Sequence, residues 1–472
     1  MQPFSSTFHF PRSRLAAFRQ RLTQQTARQL QRLFGKSLPT PLFCASPPPN
    51  QPHTRKRLFT HPIIFWAFLM QTLHHFPCRG ALQKIRLLLG KTNRQSPSAD
   101  TSGYCQARLR LPTASLKKIF NHTGQVLEKE APHQSLWQGR RVRVVDCTTA
   151  KMPDTRKNQA AYPQPSVQKP GCGFPVVKII AVFSLATGVM LHFLTAAHTV
   201  ADALLFKLIW NFFQAGEIVL ADRAFVSYAA IAHLKDREVE VVFRLSAVRA
   251  VDFRKGKRLG KNDALFLWHR PLQRTPNMTC EELAALPQTL LVRILRFQVT
   301  QPGFRTKTVT LVTTLVDPVA HPPEALAQLF YRRWAIELCF RDIKSTMNME
   351  MLACKSPQMI EKEILMFFIT HNLIRHLIWQ SAEKYQLHLW QLSFKGALDL
   401  LINAAPFFAN PKPGSRMAKD IYNTMLAFIA EDVLPLRPGR VEPRVIKRRP
   451  KPYQLLTKPR HLMREISHRG KK

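Results

Sequence analysis

The chain has 472 residues, 45% of them hydrophobic, with 70 lysines and arginines against 29 acidic side chains and a formal charge of +41. That apolar share excludes a disordered tail protein, and the length leaves room for two or three domains with a substantial core. So large a cationic excess calls for a polyanionic partner, most commonly nucleic acid, while length and hydrophobicity argue against a small ribosomal or chromatin packing protein.

Residues 1–55 are basic and then Pro-rich, and no acidic residue precedes Asp100. "SRLAAFRQRLTQQTARQLQRLF" reads either as a basic amphipathic helix against DNA or as a solvated arm; an organellar transit peptide has a similar composition. No apolar leader core opens the chain. Residues 56–138 read as a helical domain, with "IIFWAFLMQTL" and "ALQKIRLLLG" as its apolar segments. Two stretches lack formal charge, Leu58 to Cys78 and Ile179 to Ala201. The first carries Pro62, three histidines and Gln71, and the second is broken by Thr187-Gly188, so both read as buried core rather than membrane spans. The eight cysteines are scattered with no C-x-x-C pair, which points to reduced thiols rather than a zinc ribbon or a disulfide framework.

At residue 139 the character changes. "RRVRVVD" alternates and is β-branched, which predicts a strand ending at Asp146. "VVKIIAVFSLATGVMLHFLTAA" predicts a hairpin turning at Ala186-Thr187-Gly188, "DALLFKLIWNFF" a helix, and "EIVLAD" a short buried strand ending at Asp222. Strand, hairpin, helix and strand make a mixed α/β sheet with a right-handed crossover over residues 139–244. Both aspartates then fall at carboxyl ends of strands, where open α/β sheets form their sites. Residues 245–317 are strand-rich and read as a β insertion in the α/β core. The core resumes over 318–405, and residues 406–472 end in a basic, Pro-rich and extended tail.

After Pro322-Pro323, "EALAQLFYRRWAIELCFRDIKSTM" predicts one helix without a breaker. At about 100° per residue, Leu329, Ile336, Phe340, Ile343 and Met347 line a core face. Arg333 and Lys344 flank Glu337 on a stripe beside that face, placing the carboxylate at a boundary. Taken alone, the stripe is an i,i+4 ion pair worth a few tenths of a kcal/mol, and Asp146 and Asp222 are strand-end turn residues. Taken together, two strand-end aspartates and a helical glutamate among phosphate-seeking cations form a coherent set. Hard oxygen ligands bind Mg²⁺, and two ions about 3.5–4 Å apart can activate an attacking oxygen and stabilise a leaving one. The cations would hold a DNA backbone in register.

"YRRWAIELCFRDIK" resembles the Y-R-E-K signature of DDE transposases of the insertion sequence four (IS-four) family. "VVDCTTAKMPDT" resembles that family's first catalytic block and "VLADRAFVSY" its second, and "CKSPQMIEKEI…THNLIR" and "RVEPRVIKRRPKPYQLLTKPR" are also similar to it. The resemblance covers roughly residues 56 to 460. It implies an RNase H-like (retroviral-integrase-like) catalytic core interrupted by a β-strand insertion, with an N-terminal helical DNA-binding region. It implies Asp146, Asp222 and Glu337 as the catalytic metal triad for two Mg²⁺ ions, with Mn²⁺ able to substitute. It places Arg333, Lys344 and Tyr331 on DNA phosphates, with Arg341 among the same cations.

The tyrosine departs from the family pattern. One residue rather than two separates Tyr331 from Arg333, so Phe330 takes the expected position. Arg223 is either a phosphate contact or a surface ion-pair residue, and Trp268 either stacks on a flipped base or packs in the insertion. His192 and His198 read as structural.

The activity implied is cut-and-paste transposition. Water attacks first, the released 3′ hydroxyl second, with a hairpin at the element end. The implied partner is double-stranded DNA, both terminal inverted repeats and target, held by a homodimer in the bacterial cytoplasm at the nucleoid. Two alternatives stand beside it: a decayed or host-adopted DNA-binding protein, and a nuclease on the same fold that cannot join strands.

Overall fold

The computed structural model describes residues 58–90, 98–246, 248–275, 277–299, 308–407, 415–435 and 456–463, and residues 20–39 except 21, 22, 25 and 32. The chain divides into two compact units: Met1–Glu130 with Ser345–Asn348 and Glu361–Leu434, and Ala131–Lys344 with Met349–Ile360 and Pro435–Lys472.

The first unit is helical. Its His61–His74 helix starts with Pro62 in the first turn, where the missing amide proton costs nothing, and stops at His75 in a left-handed conformation. Every residue from Pro62 to Met70 is buried. The charge-poor Leu58–Cys78 stretch is therefore core, and no described helix is long and apolar enough to cross a membrane.

Part of the basic N-terminal segment belongs to the same core. Leu30, Leu33, Phe34 and Leu38 are buried. The buried Gln29 donates to the Ala405 carbonyl at 2.8 Å and accepts from Trp66 Nε1 at 2.8 Å. Of the two readings left open, helix or solvated arm, that part takes the helix: leucines at helical spacing gave the segment a buried face, while Arg28 and Gln31 point outward. The Pro-rich stretch 41–57 lies outside the described residues, as does most of the basic C-terminal tail.

The second unit is built on one nine-stranded sheet in the order β3-β2-β1-β4-β5-β9-β8-β7-β6. The strands are β1 Val142–Lys151, β2 Val176–Ser184, β3 Met190–Ala197, β4 Ile218–Ala221, β5 Glu240–Arg244, β6 Lys257–Gly260, β7 Asp263–His269, β8 Thr289–Gln298 and β9 Thr308–Thr313. β1, β4 and β5 run parallel and the remaining pairs are antiparallel. The β2–β3 hairpin turns at Thr187-Gly188, where Gly188 takes a φ of 73° that a side chain would strain.

β4 and most of β2 are continuous buried runs, as strands covered on both faces must be. One face carries the Asp202–Ile209 and Tyr228–Asp236 helices, whose Phe206, Ile209, Ile231 and Leu234 pack with Val145, Val182 and Val219. On the other face, Phe340 of the Trp334–Arg341 helix meets Phe183 of β2 edge-to-face at 5.3 Å, worth about 0.5–1.5 kcal/mol beyond area burial.

One expectation changes here. β1 does not stop at Asp146 but runs on to Lys151, because β2 pairs with it antiparallel through Lys151↔Val176. The β strands expected as an insertion over residues 245–317 continue the core sheet, since β9 pairs with β5.

Candidate active site

Strand register brings the two aspartates together. The parallel β1–β4 pairing ends at Val145↔Ala221, so Asp146 and Asp222 occupy the next step along neighbouring strands, about 4.8 Å apart between backbones. Alternation then sets their direction. Val145 faces the helices of the first face, so Asp146 faces the opposite one, on the side of Phe183 and the Glu337 helix. Asp222 caps the short turn Arg223–Phe225, its carboxylate accepting the Arg223 backbone N–H at 2.8 Å. Asp146 likewise accepts the Cys147 backbone N–H at 2.8 Å.

Glu337 lies in the first turn of the Trp334–Arg341 helix. The predicted single helix is interrupted there: Pro323–Arg332 ends, Arg333 makes a tightened turn, and Asp342–Thr346 continues as π-helix. The Arg333 amide bonds the Phe330 carbonyl and the Ile336 amide bonds that of Arg333, both i→i+3. The core face survives the interruption, with Leu329, Ile336, Phe340, Ile343 and Met347 all buried.

Arg333 draws the site together. Its guanidinium stands 3.7 Å from Asp146 Oδ2 and 3.4 Å from Glu337 Oε1. The arginine side chain is 5% exposed, against 27% for Asp146 and 42% for Glu337. Arg244, at the end of β5, stands 3.8 Å from Asp222. Burial pushes the Asp146 carboxyl above its ordinary range and Asp222 adds to the rise, against the pull of the Cys147 amide and Arg333. Glu337 is raised by burial, with Asp146 and Asp222 adding to it and Arg333 opposing. Burial comes first for both, and carboxylate repulsion adds to it, from Asp222 and Asp202 at Asp146 and from Asp146 and Asp222 at Glu337.

The donor set is three hard carboxylates, which suits a divalent cation with oxygen preference. Among the described residues no three His, Cys, Asp or Glu side chains stand within reach of one metal ion. The cation that spans Asp146 and Glu337 here is the Arg333 guanidinium.

The other expected residues fall less centrally. Arg223 is exposed beside Asp222. Arg341 is 61% exposed and lies 3.8 Å from Asp342. Lys344 sits half-buried in the π-helical turn, where the regular helical stripe no longer applies. The Tyr331 ring meets Phe297 of β8 edge-to-face at 5.7 Å, and Phe330 is buried under the Arg333 guanidinium. Trp268 packs against the core cluster with the Arg249 guanidinium 5.1 Å from its ring, so its face is already occupied. His192 stacks on Phe212 at 4.7 Å, in keeping with a structural role.

Sequence reading missed Arg244. Its signal was positional: a charged residue ending a "VVF" run that pairs parallel with the Asp222 strand. It also missed Asp202, which ion-pairs with Lys178 at 2.7 Å and raises Asp146.

The family described as Transposase DDE domain matches residues 137–373, a span that contains Asp146, Asp222 and Glu337. The chain is 26% identical over 414 residues to the transposase InsG for insertion sequence element IS4 of Escherichia coli (strain K12), covering 84% of this chain and 88% of that one. A piggyBac transposase in a synaptic complex with hairpin DNA resembles it at a TM-score of 0.42 and 8% identity, over 90% of this chain and 87% of that one. The chain belongs to the IS4 family of DDE transposases.

Proposed function

We propose that the protein cuts DNA at the ends of an insertion sequence and joins those ends to target DNA, with Asp146, Asp222 and Glu337 as the catalytic carboxylates. The observation that carries this reading is their convergence. Strand register sets Asp146 beside Asp222, and Arg333 couples Asp146 to Glu337. The strand order β3-β2-β1-β4-β5, with helices on both faces, supports an RNase H-like core.

The three carboxylates would hold Mg²⁺, two ions in our reading, with Mn²⁺ able to replace it. Bound there, the metal would polarise the attacking oxygen and offset charge on the leaving one. Asp146 and Glu337, raised by burial and by neighbouring carboxylates, would gain most from a cation. Arg333 would turn from the carboxylates to the phosphate beside the cleaved bond, a positioning contact suited to its forked donors. Arg244 and Arg223 would flank the backbone at Asp222, and Lys344 and Arg341 would meet it further along the Glu337 helix.

Water attacks first and frees a 3′ hydroxyl, which then attacks the target phosphodiester. The carboxylates supply ligands rather than a nucleophile, so no covalent protein–DNA intermediate is required. We further propose a homodimer that pairs two ends, cut-and-paste movement through a hairpin end, DNA contacts by the N-terminal helical unit, and action at the bacterial nucleoid.

Asp222→Asn tests the reading. The change keeps shape but removes one charge and weakens a hard-oxygen ligand. Mg²⁺-dependent nicking of end-containing DNA is expected to fall by roughly a thousandfold or more, with binding kept or slightly tightened. A mutant that nicks as well as an active wild type removes Asp222 from the site. Wild-type binding without nicking favours a decayed copy, and nicking without strand transfer favours a nuclease.

A further inference from the structure

Sheet register carries a second consequence, far from the carboxylates along the chain. The row of paired residues that begins at Val145 runs through Ala221, Phe243, Val312, Ile294 and Ala264 to Arg258. The next row joins Arg244 to Leu311, Leu295, Asp263 and Gly260. The turn between β6 and β7 therefore opens at the same end of the sheet as Asp146 and Asp222.

That hairpin and the turn before it are densely basic. Arg254, Lys255, Lys257, Arg258 and Lys261 fall within eight residues, and all five are exposed. Arg254 pairs with Asp252 at 2.9 Å, whereas Lys257, Arg258 and Lys261 form no ion pair among the described residues. Asp263, the acid closest in sequence to the turn, is buried and consumed by Arg293.

Protection of an edge strand accounts for part of this, since β6 is the sheet edge and lysines discourage pairing with other chains. It does not account for Arg254 and Lys255, which precede the strand, or for Lys261, which lies in the turn beyond it.

We propose that the β6–β7 hairpin is a phosphate-binding surface for the same DNA duplex that is cut at the carboxylates, a reading that rests on the proposed function. β6 lies five strands from β4, about 24 Å at ~4.8 Å per strand. At ~3.4 Å per base pair, a duplex laid along this end of the sheet meets the hairpin roughly seven base pairs from the cleaved phosphate. In this proposal the lysines and arginines contact phosphates, which fixes the register of the duplex without reading its sequence.

The test is the salt dependence of end binding. Removing one phosphate-binding side chain should lower the log–log slope by ~0.9. Lys257→Ala/Arg258→Ala/Lys261→Ala is expected to reduce the slope by about 2–3 on a long end duplex and to leave it equal to wild type on a duplex ending five base pairs from the cleavage point. The exchange Lys257→Arg/Arg258→Lys/Lys261→Arg, which keeps the charges, is expected to retain the wild-type slope, and thermal melts establish that all three proteins are folded. Equal slopes on the long duplex overturn the proposal, as does a difference that persists on the short one. An unchanged slope with concentration-dependent self-association assigns the charges to edge protection instead. Nicking by the wild type is scored separately: its absence removes the phosphoryl-transfer reading, while the slope comparison still decides the hairpin.

Discussion

Of the three arginines buried in the sheet unit, Arg143, Arg293 and Arg333, the last two have surroundings that differ in kind. Arg293 is fully buried and grips Asp263 through Nε at 2.8 Å and Nη2 at 2.6 Å, with Nη1 donating to the His321 carbonyl at 2.7 Å. Asp263 is itself buried, so the charges neutralise each other in a fixed fork. Arg333 is 5% exposed but reaches its two carboxylates only at 3.4 and 3.7 Å, and its Nε has no hydrogen-bond partner among the described residues. Asp146 and Glu337 keep a substantial solvent face. Desolvation is complete and compensated at Arg293, incomplete and under-compensated at Arg333. A cluster built for stability satisfies its donors, as at Arg293; the exchange of partners proposed for Arg333, with metal and phosphate, would need them loose.

The comparison breaks most visibly at Arg293. Arg293→Ala strands the Asp263 carboxylate in the core and is expected to cost about 3–5 kcal/mol of unfolding free energy. Denaturant unfolding measures it, and the paired change Arg293→Met/Asp263→Leu should recover most of the loss. A single variant within about 1 kcal/mol of wild type would mean that the pair is not the compensated structural clamp its geometry indicates.

Arg333→Ala is the counterpart. Its ion pairs are long and its carboxylate partners can turn to solvent, so the stability change should stay within about 1 kcal/mol. Nicking of end DNA should nevertheless fall about a hundredfold, the usual loss for one donor aimed at developing charge. Stability falling as far as in Arg293→Ala, with nicking kept, would make Arg333 a second structural clamp.

The smallest expected effect belongs to Tyr331→Phe. The ring's edge-to-face contact with Phe297 survives loss of the hydroxyl, so nicking should change by less than about threefold. A loss as deep as that of Arg333→Ala would bring the tyrosine back to the site and show that the tightened turn at Arg333 rotates further when DNA is bound.

Much of the site was legible because its cues are local. "VLAD" and "RRVRVVD" are β-branched runs ending in acid, and the apolar period of Leu329, Ile336, Phe340, Ile343 and Met347 leaves Glu337 at the edge of a buried face. The wheel that moved Tyr331 off the Glu337 stripe agrees with its packing on Phe297. The same wheel put Lys344 on that stripe, but Lys344 falls in a π-helical turn, to which the regular wheel does not apply. A helix that tightens at Arg333 and widens at Asp342 does not advance by a constant angle.

Composition, periodicity and motif order by themselves pointed to a nucleic-acid partner and the α/β class, and singled out the three carboxylates that we propose as the catalytic set. Those properties reside in residue type and short-range spacing, which the chain carries whether folded or not. Tertiary structure decided the rest. Only pairing with β2 could carry β1 past Asp146, and only pairing of β9 with β5 could merge the insertion strands into the core sheet. Strand pairing is a contact between distant segments, and a strand's own sequence does not name its neighbour. For the same reason Arg244, Asp202 and the outlying β6–β7 hairpin come to one end or one flank of the carboxylate site only when the register is drawn across the whole sheet.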